Sequence, residues 1–284
     1  MILVADGGST KTSWRLLELQ TVTASFETEG YNPYFTTKDA IVNSLQASLP
    51  KHLEPHLIKA VYFYGAGCSV SSKAEVVAGA LKSIFNNAQV EVAHDLLAAA
   101  RALLGANHGF AAILGTGTNS CLYDGKQIIQ NINSLGYLLG DEGSGSFIGK
   151  RLLRDYMRGY MPREISERFD AVYALTVDSI LDRLYNGVLP NRFCASFSKF
   201  LYEIRTDFPD YSDEVLRVSF TAFFRDLVVH YPNYRQFALN CVGSVAFNFK
   251  DVLELVALEH GMQLGKIIRN PIDDLVAYHL SMND

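Results

Sequence analysis

The chain has 284 residues, of which 49% are apolar and 19% charged, and its formal net charge is −5. This composition predicts a well-packed globular protein of two domains or one large domain, and it excludes a disordered chain. No Lys/Arg cluster is dense enough for a nucleic-acid footprint, and no apolar run is long enough for a membrane span. We therefore expect neither nucleic acid nor a membrane as a partner.

The spacing of the cysteines and the pattern of the N-terminal residues predict the cellular compartment of the protein. Cys68, Cys121, Cys194 and Cys241 are scattered without a Cys-x-x-Cys spacing. This pattern predicts reduced thiols and argues against a compact zinc or iron–sulfur motif. The sequence begins with a strand pattern and shows no basic region or cleavage site, so we expect a cytoplasmic protein.

The chain opens with a predicted β-hairpin, in which two apolar runs flank a polar turn. The turn reads Asp6-Gly7-Gly8-Ser9-Thr10-Lys11-Thr12. Adjacent glycines let backbone amides approach a bulky group, and the hydroxyls and Lys11 add donors and a positive charge. Asp6 cannot bind a phosphate but suits a hard cation beside one. The alternative is an ordinary glycine-rich turn.

Alternating strand and helix patterns follow, which is typical of an open α/β sheet. The predicted segments are a strand to Glu29, a helix over 37–49, a strand over 60–64, a helix over 72–85 capped by Ser71 or Ser72, a strand over 89–93 and a helix over 96–104. Asn32 either caps a turn or points its amide into a cleft. Asp95 lies where a strand meets a helix, so it is either an N-cap or a catalytic group, because ligands gather at the carboxyl ends of such strands.

A second hairpin pattern over residues 109–125 repeats the first. Its turn reads Leu114-Gly115-Thr116-Gly117-Thr118-Asn119-Ser120 and aligns with residues 6–12 without a gap. This repeat predicts a duplicated domain with two hairpins that face each other across a cleft. In this alignment Leu114 takes the place of Asp6. We therefore expect the carboxylate at only one of the two tips, which is what a single metal–phosphate site requires.

The second half carries two further glycine-rich segments. Residues 133–146 precede a helix predicted over 147–156, and they form either a flexible loop with Asp141 or Ser144 near the helix start or a loop that brings Asp141 and Glu142 to a cleft rim. Residues 162–231 are mainly helical, with Thr176 as one cap. A strand over 236–242, the turn at Gly243 and Ser244, and a helix over 245–260 together form an anion or nucleotide seat. A helix over 272–282 ends the chain.

Three of these motifs resemble those of the N-acetylglucosamine kinase and benzoyl-CoA-reductase-activator ATPase branch of the actin, heat-shock ATPase and sugar-kinase superfamily. They are residues 6–12, Gly115 to Thr118, and Gly140-Asp141-Glu142-Gly143-Ser144. The resemblance implies an α/β actin-like ATPase fold with two ribonuclease-H-like lobes and a duplicated strand-hairpin phosphate loop. The implied lobes are 1–112 with the C-terminal helix 271–284, and 113–270 with a helical insertion.

The resemblance also implies the site. Gly7, Gly8, Ser9, Thr10 and Lys11 would form one ATP-phosphate loop, and Gly115, Thr116, Gly117 and Thr118 the other. Asp6 would hold Mg²⁺ through water, and Gly243 and Ser244 match the adenosine motif. Asp95 matches the catalytic aspartate, and Asn32, Asp95, Gly136 and Asp141 match positions that line the sugar pocket.

These matches imply transfer of a phosphoryl group from ATP to the 6-hydroxyl of an amino sugar, of which N-acetylglucosamine is the first choice. Glucosamine, N-acetylmuramate and another hexose remain alternatives, because the mammalian sugar kinases carry a Trp where this chain has Leu135. The adenosine motif usually has two glycines, where this chain has Val242 and Gly243. An ATPase that activates a partner reductase and a regulator without catalysis are the rival functions. The zinc motif of the repressor-related hexokinases is absent, and a homodimer stays open.

Overall fold

The computed structural model describes residues 1–8 and 11–282, which form two compact units. The first unit comprises Met1–Ala106, Gly125–Gln127 and the chain from Asn270 onward, and the second comprises Asn107–Asp124 and Ile128–Arg269. The sequence-based boundary at residue 112 differs from this division, because the strand that starts at Gly109 pairs within the second unit.

The elements alternate as the sequence predicts. The first unit begins with β1 Ile2–Gly7, β2 Lys11–Glu18, β3 Thr21–Glu29, α1 Lys38–Ser48, β4 Ala60–Gly65, α2 Ser71–Ile84, β5 Gln89–His94 and α3 Asp95–Leu104. The second unit holds β6 Gly109–Leu114, β7 Thr118–Tyr123, β8 Ile128–Asn131, α4 Gly136–Leu139, α5 Gly145–Met157, α6 Arg163–Tyr173, α7 Val177–Tyr185, α8 Pro190–Ile204, α9 Pro209–Asp226, β9 Leu239–Val242, α10 Ser244–Asn248, α11 Lys250–Glu259 and β10 Leu264–Ile268. Helix α12, Ile272–Ser281, belongs to the first unit.

The two sheets have the same strand order, which confirms the predicted duplication. The first is ordered β3-β2-β1-β4-β5 and the second β8-β7-β6-β9-β10. In each sheet the first three strands of the unit are antiparallel, and the remaining two run parallel to the first. This is the ribonuclease-H-like arrangement of the actin-like ATPase fold. Helices α6 to α9 lie between α5 and β9 in the chain.

The two hairpin tips differ in length, so the gapless alignment of the turns is wrong. In the first hairpin Asp6 pairs with Ser13, seven positions along the chain, whereas in the second Leu114 pairs with Thr118, only four positions along. The rising strands correspond, but the returning strands are offset by three residues. The similarity of the two glycine-rich turns cannot reveal this difference in length. The length of each turn is set by the strand register, which depends on the flanking residues.

Several predicted helix ends are also corrected. Val70, not Ser71 or Ser72, is the N-cap of α2 and makes no side-chain cap bond. The single helix predicted over 245–260 is two helices, α10 and α11, which meet at Phe249. Thr176 caps α7 as predicted, and its partner in the capping box is Ser179. None of the helices in the described part of the chain is long and apolar enough to cross a membrane.

The first sheet has one apolar face and one face with a buried polar network. Leu3, Ala5, Val61 and Phe63 pack into the core with α1 and α2. Because side chains alternate along a strand, Asp6 and its register neighbour Tyr64 lie on the opposite face. Polar side chains from α3 and α12 meet Tyr64 there.

That polar network ties α12 to the sheet. The Tyr64 hydroxyl lies 2.8 Å from Nε2 of His279, and Arg101 donates to Tyr64 and, at 3.0 Å, to Glu91. His279 is 4% exposed and stacks on Tyr62 with ring centroids 3.9 Å apart. Burial, together with the positive charge of Arg101, lowers the pKa of His279 from 6.5 to about 4.

This shift makes stability pH-dependent. Because the His279 pKa is lower in the folded protein than in the unfolded chain, the unfolded chain binds more protons between pH 6.5 and 4. Stability should fall as pH drops through that window, by up to about 3 kcal/mol from this residue. We expect urea titrations of His279→Gln to lose less free energy of unfolding between pH 7 and 4.5 than wild type does.

The exposed His52→Gln substitution, which removes a histidine without touching the core, is the matched control. Equal losses in wild type and His279→Gln would contradict a neutral, buried His279.

A second prediction concerns the junction of β9 and β6. Gly243 has φ +129°, and a Cβ placed there would lie 2.3 Å from the carbonyl oxygen of Leu114. Gly243→Ala should therefore lower the free energy of unfolding by about 2 kcal/mol or more, because the clash can be relieved only if the backbone of β6 or β9 moves. At Gly115 a Cβ meets nothing within 4 Å, so Gly115→Ala should stay within about 0.5 kcal/mol of wild type. Equal destabilisation of the two variants in urea would disprove this account.

Candidate functional site

The first unit brings two aspartates to one edge of its sheet. Strands β1, β4 and β5 are parallel, and the register aligns Gly7 with Gly65 and Gly65 with His94. Asp6 is therefore the last residue but one of β1, and Asp95 follows the end of β5, at the same edge. This is the edge where open α/β sheets bind ligands.

Asp6 is a partly buried carboxylate in a negative environment. Burial and, to a smaller extent, the charge of Asp95 raise its pKa to about 7, while Lys11 opposes the shift. A hard cation would offset both burial and repulsion. Mg²⁺ binds through one or two carboxylates, waters and substrate phosphates, so two carboxylates at a sheet edge fit that ion.

Asp95 is the first residue of α3, and His94 is the N-cap. One carboxylate oxygen of Asp95 accepts a hydrogen bond from the amide of Leu96 at 2.9 Å. Burial raises the pKa of Asp95, while His94 and backbone amides counteract the rise. Within the described residues only backbone amides donate to this carboxylate, which leaves it available to a ligand hydroxyl.

Asn32 lies against the loop that follows β4. Its Oδ1 accepts from the amide of Tyr34 at 3.0 Å, so Asn32 does form the predicted turn. A Cβ on Gly67 would lie 2.5 Å from the same oxygen. The Nδ2 group donates to nothing in the described chain and can still serve a ligand.

Cys68 is a neighbour of Asp95 that sequence reasoning missed. Burial raises the pKa of its thiol to about 12, and the charge of Asp95 contributes. The sequence signal that could have found it is its position three residues after the end of β4, at the ligand edge of the sheet.

The first hairpin tip is only partly described, because Ser9 and Thr10 lie outside the described residues. The amide of Gly8 donates to the carbonyl of Lys11 at 2.9 Å. Lys11 Nζ lies 2.5 Å from Glu27 on β3, and both side chains are exposed. The lysine therefore pairs with a carboxylate here.

The second tip and the glycine-rich segment after it form one hydrogen-bonded unit. The carbonyl oxygen of Gly115 accepts from the amide of Gly145 at 2.8 Å, and that of Thr116 accepts from Ser146 at 3.0 Å. The Thr118 hydroxyl donates to the Glu142 carbonyl at 2.6 Å. The segment is thus fixed to the tip and is not a flexible loop.

Asp141 also lies on this tip. Its Oδ1 accepts from the amide of Thr118 at 3.1 Å, and the residue is 6% exposed. Burial raises its pKa, and the Thr118 bond and Lys150 counteract that rise. Gly136, by contrast, is exposed at the start of α4, and its carbonyl accepts from the amide of Gly140 at 2.8 Å.

An open pocket of about 350 Å³ lies beside Ser244. Helix α8 contributes Ser198, Lys199 and Tyr202, α10 contributes Ser244, Val245 and Asn248, and Phe249 and Arg269 complete the lining. Gly243, at the end of β9, contacts Leu114 at the start of the second tip. The predicted adenosine motif and the predicted phosphate loop are therefore neighbours within the second unit.

No protein-family profile and no curated protein sequence matches the chain. The crystal structure of a putative N-acetylglucosamine kinase from Porphyromonas gingivalis superposes with a TM-score of 0.93 at 39% identity, with 100% of both chains covered.

More distant structures share the fold. A putative N-acetylglucosamine kinase from Chromobacterium violaceum has a TM-score of 0.69 at 17% identity over 98% of each chain. A glucokinase of the ROK family from Streptomyces griseus, in complex with glucose and AMPPNP, has a TM-score of 0.57 at 15% identity over 98% of this chain and 97% of that one. Identity at the level of the Porphyromonas protein, over full length, goes beyond shared fold: this chain belongs to the N-acetylglucosamine kinase family of actin-like sugar kinases.

Proposed function

We propose that the protein is an ATP-dependent kinase that phosphorylates the 6-hydroxyl of an amino sugar, N-acetylglucosamine first among them. The observation that carries the proposal is the pair of partly buried carboxylates, Asp6 and Asp95, at the ligand edge of the first sheet. The relatedness to a protein named as such a kinase supports it. We propose the cytoplasm as its location, and the reaction needs no nucleic-acid or membrane partner.

Phosphoryl transfer requires mainly positioning and charge neutralisation. We assign phosphate binding to the backbone amides of the two tips. In the second tip, the amides of Thr116 and Gly117 donate to nothing within the described residues, so they are free to bind an oxyanion. In the first tip the assignment covers Gly7, Gly8, Ser9, Thr10 and Lys11. Lys11 would have to exchange Glu27 for a phosphate oxygen.

We assign Mg²⁺ to Asp6, through water. The bound ion would neutralise charge on the phosphates during transfer. The pKa of Asp6 is raised by burial and by the charge of Asp95, which together outweigh the opposing charge of Lys11, and a cation would stabilise a carboxylate in that environment.

Asp95 is the proposed catalytic base. A carboxylate with a raised pKa is well suited to take the proton of a sugar hydroxyl as the new P–O bond forms. Asn32, through its Nδ2, together with Gly136 and Asp141, would bind the sugar, and paired polar contacts discriminate sugars better than apolar contacts do.

The pocket beside Ser244 is the proposed adenosine site. Its aromatic residues Tyr202 and Phe249, with ring centroids 6.0 Å apart, offer apolar surface to a nucleobase. The rival function, an ATPase with an iron–sulfur cluster shared between subunits, needs thiols at the surface. All four cysteines are buried, with at most 5% exposure.

The proposed base is tested by Asp95→Asn. The amide keeps an oxygen that can accept from Leu96 but cannot take a proton, so sugar-dependent ADP formation should fall by about 10²- to 10⁴-fold. A coupled ADP assay over amino sugars and hexoses measures this and identifies the substrate. The exposed Asp39→Asn variant on α1 is the control. Near-normal activity of Asp95→Asn would refute the assignment.

The proposed adenosine site is tested by Ser244→Trp. A large side chain at this exposed position should fill the pocket and raise KM for ATP about 10-fold or more, while KM for the sugar stays within about 2-fold. The same substitution at exposed Ser196, on α8 outside the pocket lining, is the control. An unchanged KM for ATP in Ser244→Trp would show that the adenine of ATP does not bind in this pocket.

A further inference from the structure

The carboxylate at the second hairpin tip comes from Asp141, which lies outside the hairpin in the chain. Leu114 stands where the first hairpin has Asp6, so no acidic side chain comes from β6 itself. Asp141 lies at this tip instead, 23 residues beyond Thr118, with its carboxylate on the Thr118 amide at 3.1 Å.

The local backbone is built around this contact. Asp141 adopts the left-handed conformation, with φ +59°, which costs free energy for a non-glycine residue. Its amide donates to the carbonyl of Ser134 at 2.9 Å, and its carbonyl accepts from Ser144 at 3.1 Å. These main-chain hydrogen bonds fix the backbone of Asp141, and with it the position from which its side chain reaches Thr118.

Gly117 leaves room for the carboxylate. A Cβ at Gly117 would lie 3.0 Å from Oδ2 and 3.1 Å from Oδ1 of Asp141. Any side chain at Gly117 would thus press on the Asp141 carboxylate, which identifies a close approach rather than a chance neighbour.

The contact decides which amides of the tip remain available. Gly115 donates to the carbonyl of Gly117 at 3.1 Å, and Thr118 donates to Asp141. Thr116 and Gly117 are left without acceptors in the described chain. A hydrogen bond to a charged acceptor is among the stronger ones, so it can fix the short loop in one conformation.

We propose that Asp141 is a positioning residue for ATP: by accepting the Thr118 amide, it holds the second tip so that the Thr116 and Gly117 amides face the phosphates. This inference rests on the proposed function. It gives Asp141 a role that is independent of the sugar, because the oxygen bound to Thr118 acts on the tip and not on a sugar hydroxyl.

The test is nucleotide binding without sugar, measured by calorimetry with Mg²⁺ and a non-hydrolysable ATP analogue. Asp141→Ala, which removes the acceptor, should weaken binding by about 10-fold or more. Asp141→Asn, which keeps an acceptor oxygen, should stay within about 3-fold of wild type. The exposed Asp210→Ala variant on α9 is the control for a lost surface charge.

A double-mutant cycle keeps the inference falsifiable if Asp141→Ala folds poorly. Gly117→Ala should displace the carboxylate and weaken binding in the wild-type background, but much less in the Asp141→Gly background, which has no carboxylate to displace and a residue that adopts φ +59° without strain. Additive effects would show that the two residues act separately.

The proposal is overturned if Asp141→Ala binds the analogue as wild type does while its KM for the sugar rises, because Asp141 would then be a sugar ligand only. If wild type itself neither binds the analogue nor forms ADP, the proposed kinase function has failed instead. The two failures are therefore distinguishable.

Discussion

The arrangement depends on two carboxylates that the first sheet holds at one edge, with limited access to water. Asp6 is placed there by the end of β1 and Asp95 by the first turn of α3. Each would ionise readily in water, yet burial raises both pKa values, and the charge of Asp95 adds to the rise at Asp6. A cation would stabilise such a pair, and the proposed metal and base roles of Asp6 and Asp95 rest on this environment.

Duplication explains the scaffold but not the chemistry. Both units build the same five-stranded sheet, and each places a glycine-rich tip after its first strand. The first unit keeps its acidic residues on strand and helix ends. The second has lost the strand-end carboxylate, and a tightly bonded segment around Asp141 and Glu142 covers its shorter tip. The proposed base therefore lies in one unit, and the proposed adenosine site and second phosphate loop lie in the other.

Much of this could be predicted from the sequence. Strand and helix periodicity located Asp6 and Asp95 at the carboxyl ends of strands, and topology then determines that those ends share an edge. The pairing of Lys11 with Glu27 could not be predicted, because it depends on the register between β2 and β3. Nor could the contact between Asp141 and Thr118, since it requires a left-handed backbone at Asp141, and local propensity does not favour that conformation.

The pocket beside Ser244 shows the same limit. Ser244 was recognisable in the sequence, but Ser198 and Tyr202 come from helix α8, more than forty residues earlier in the chain. Their approach depends on how α8 packs in the core of the second unit. The positions of residues at strand ends were therefore predictable, whereas the approach of the α8 residues to this pocket was not.

The central claim is transfer of a phosphoryl group from ATP to the 6-hydroxyl of an amino sugar. The most direct test is ³¹P–¹H correlation NMR of the product formed from ATP, Mg²⁺ and N-acetylglucosamine. The account predicts a phosphorus signal coupled to the two protons on C6 of the sugar. A phosphorus signal coupled to the anomeric proton, or inorganic phosphate as the sole product, would contradict it.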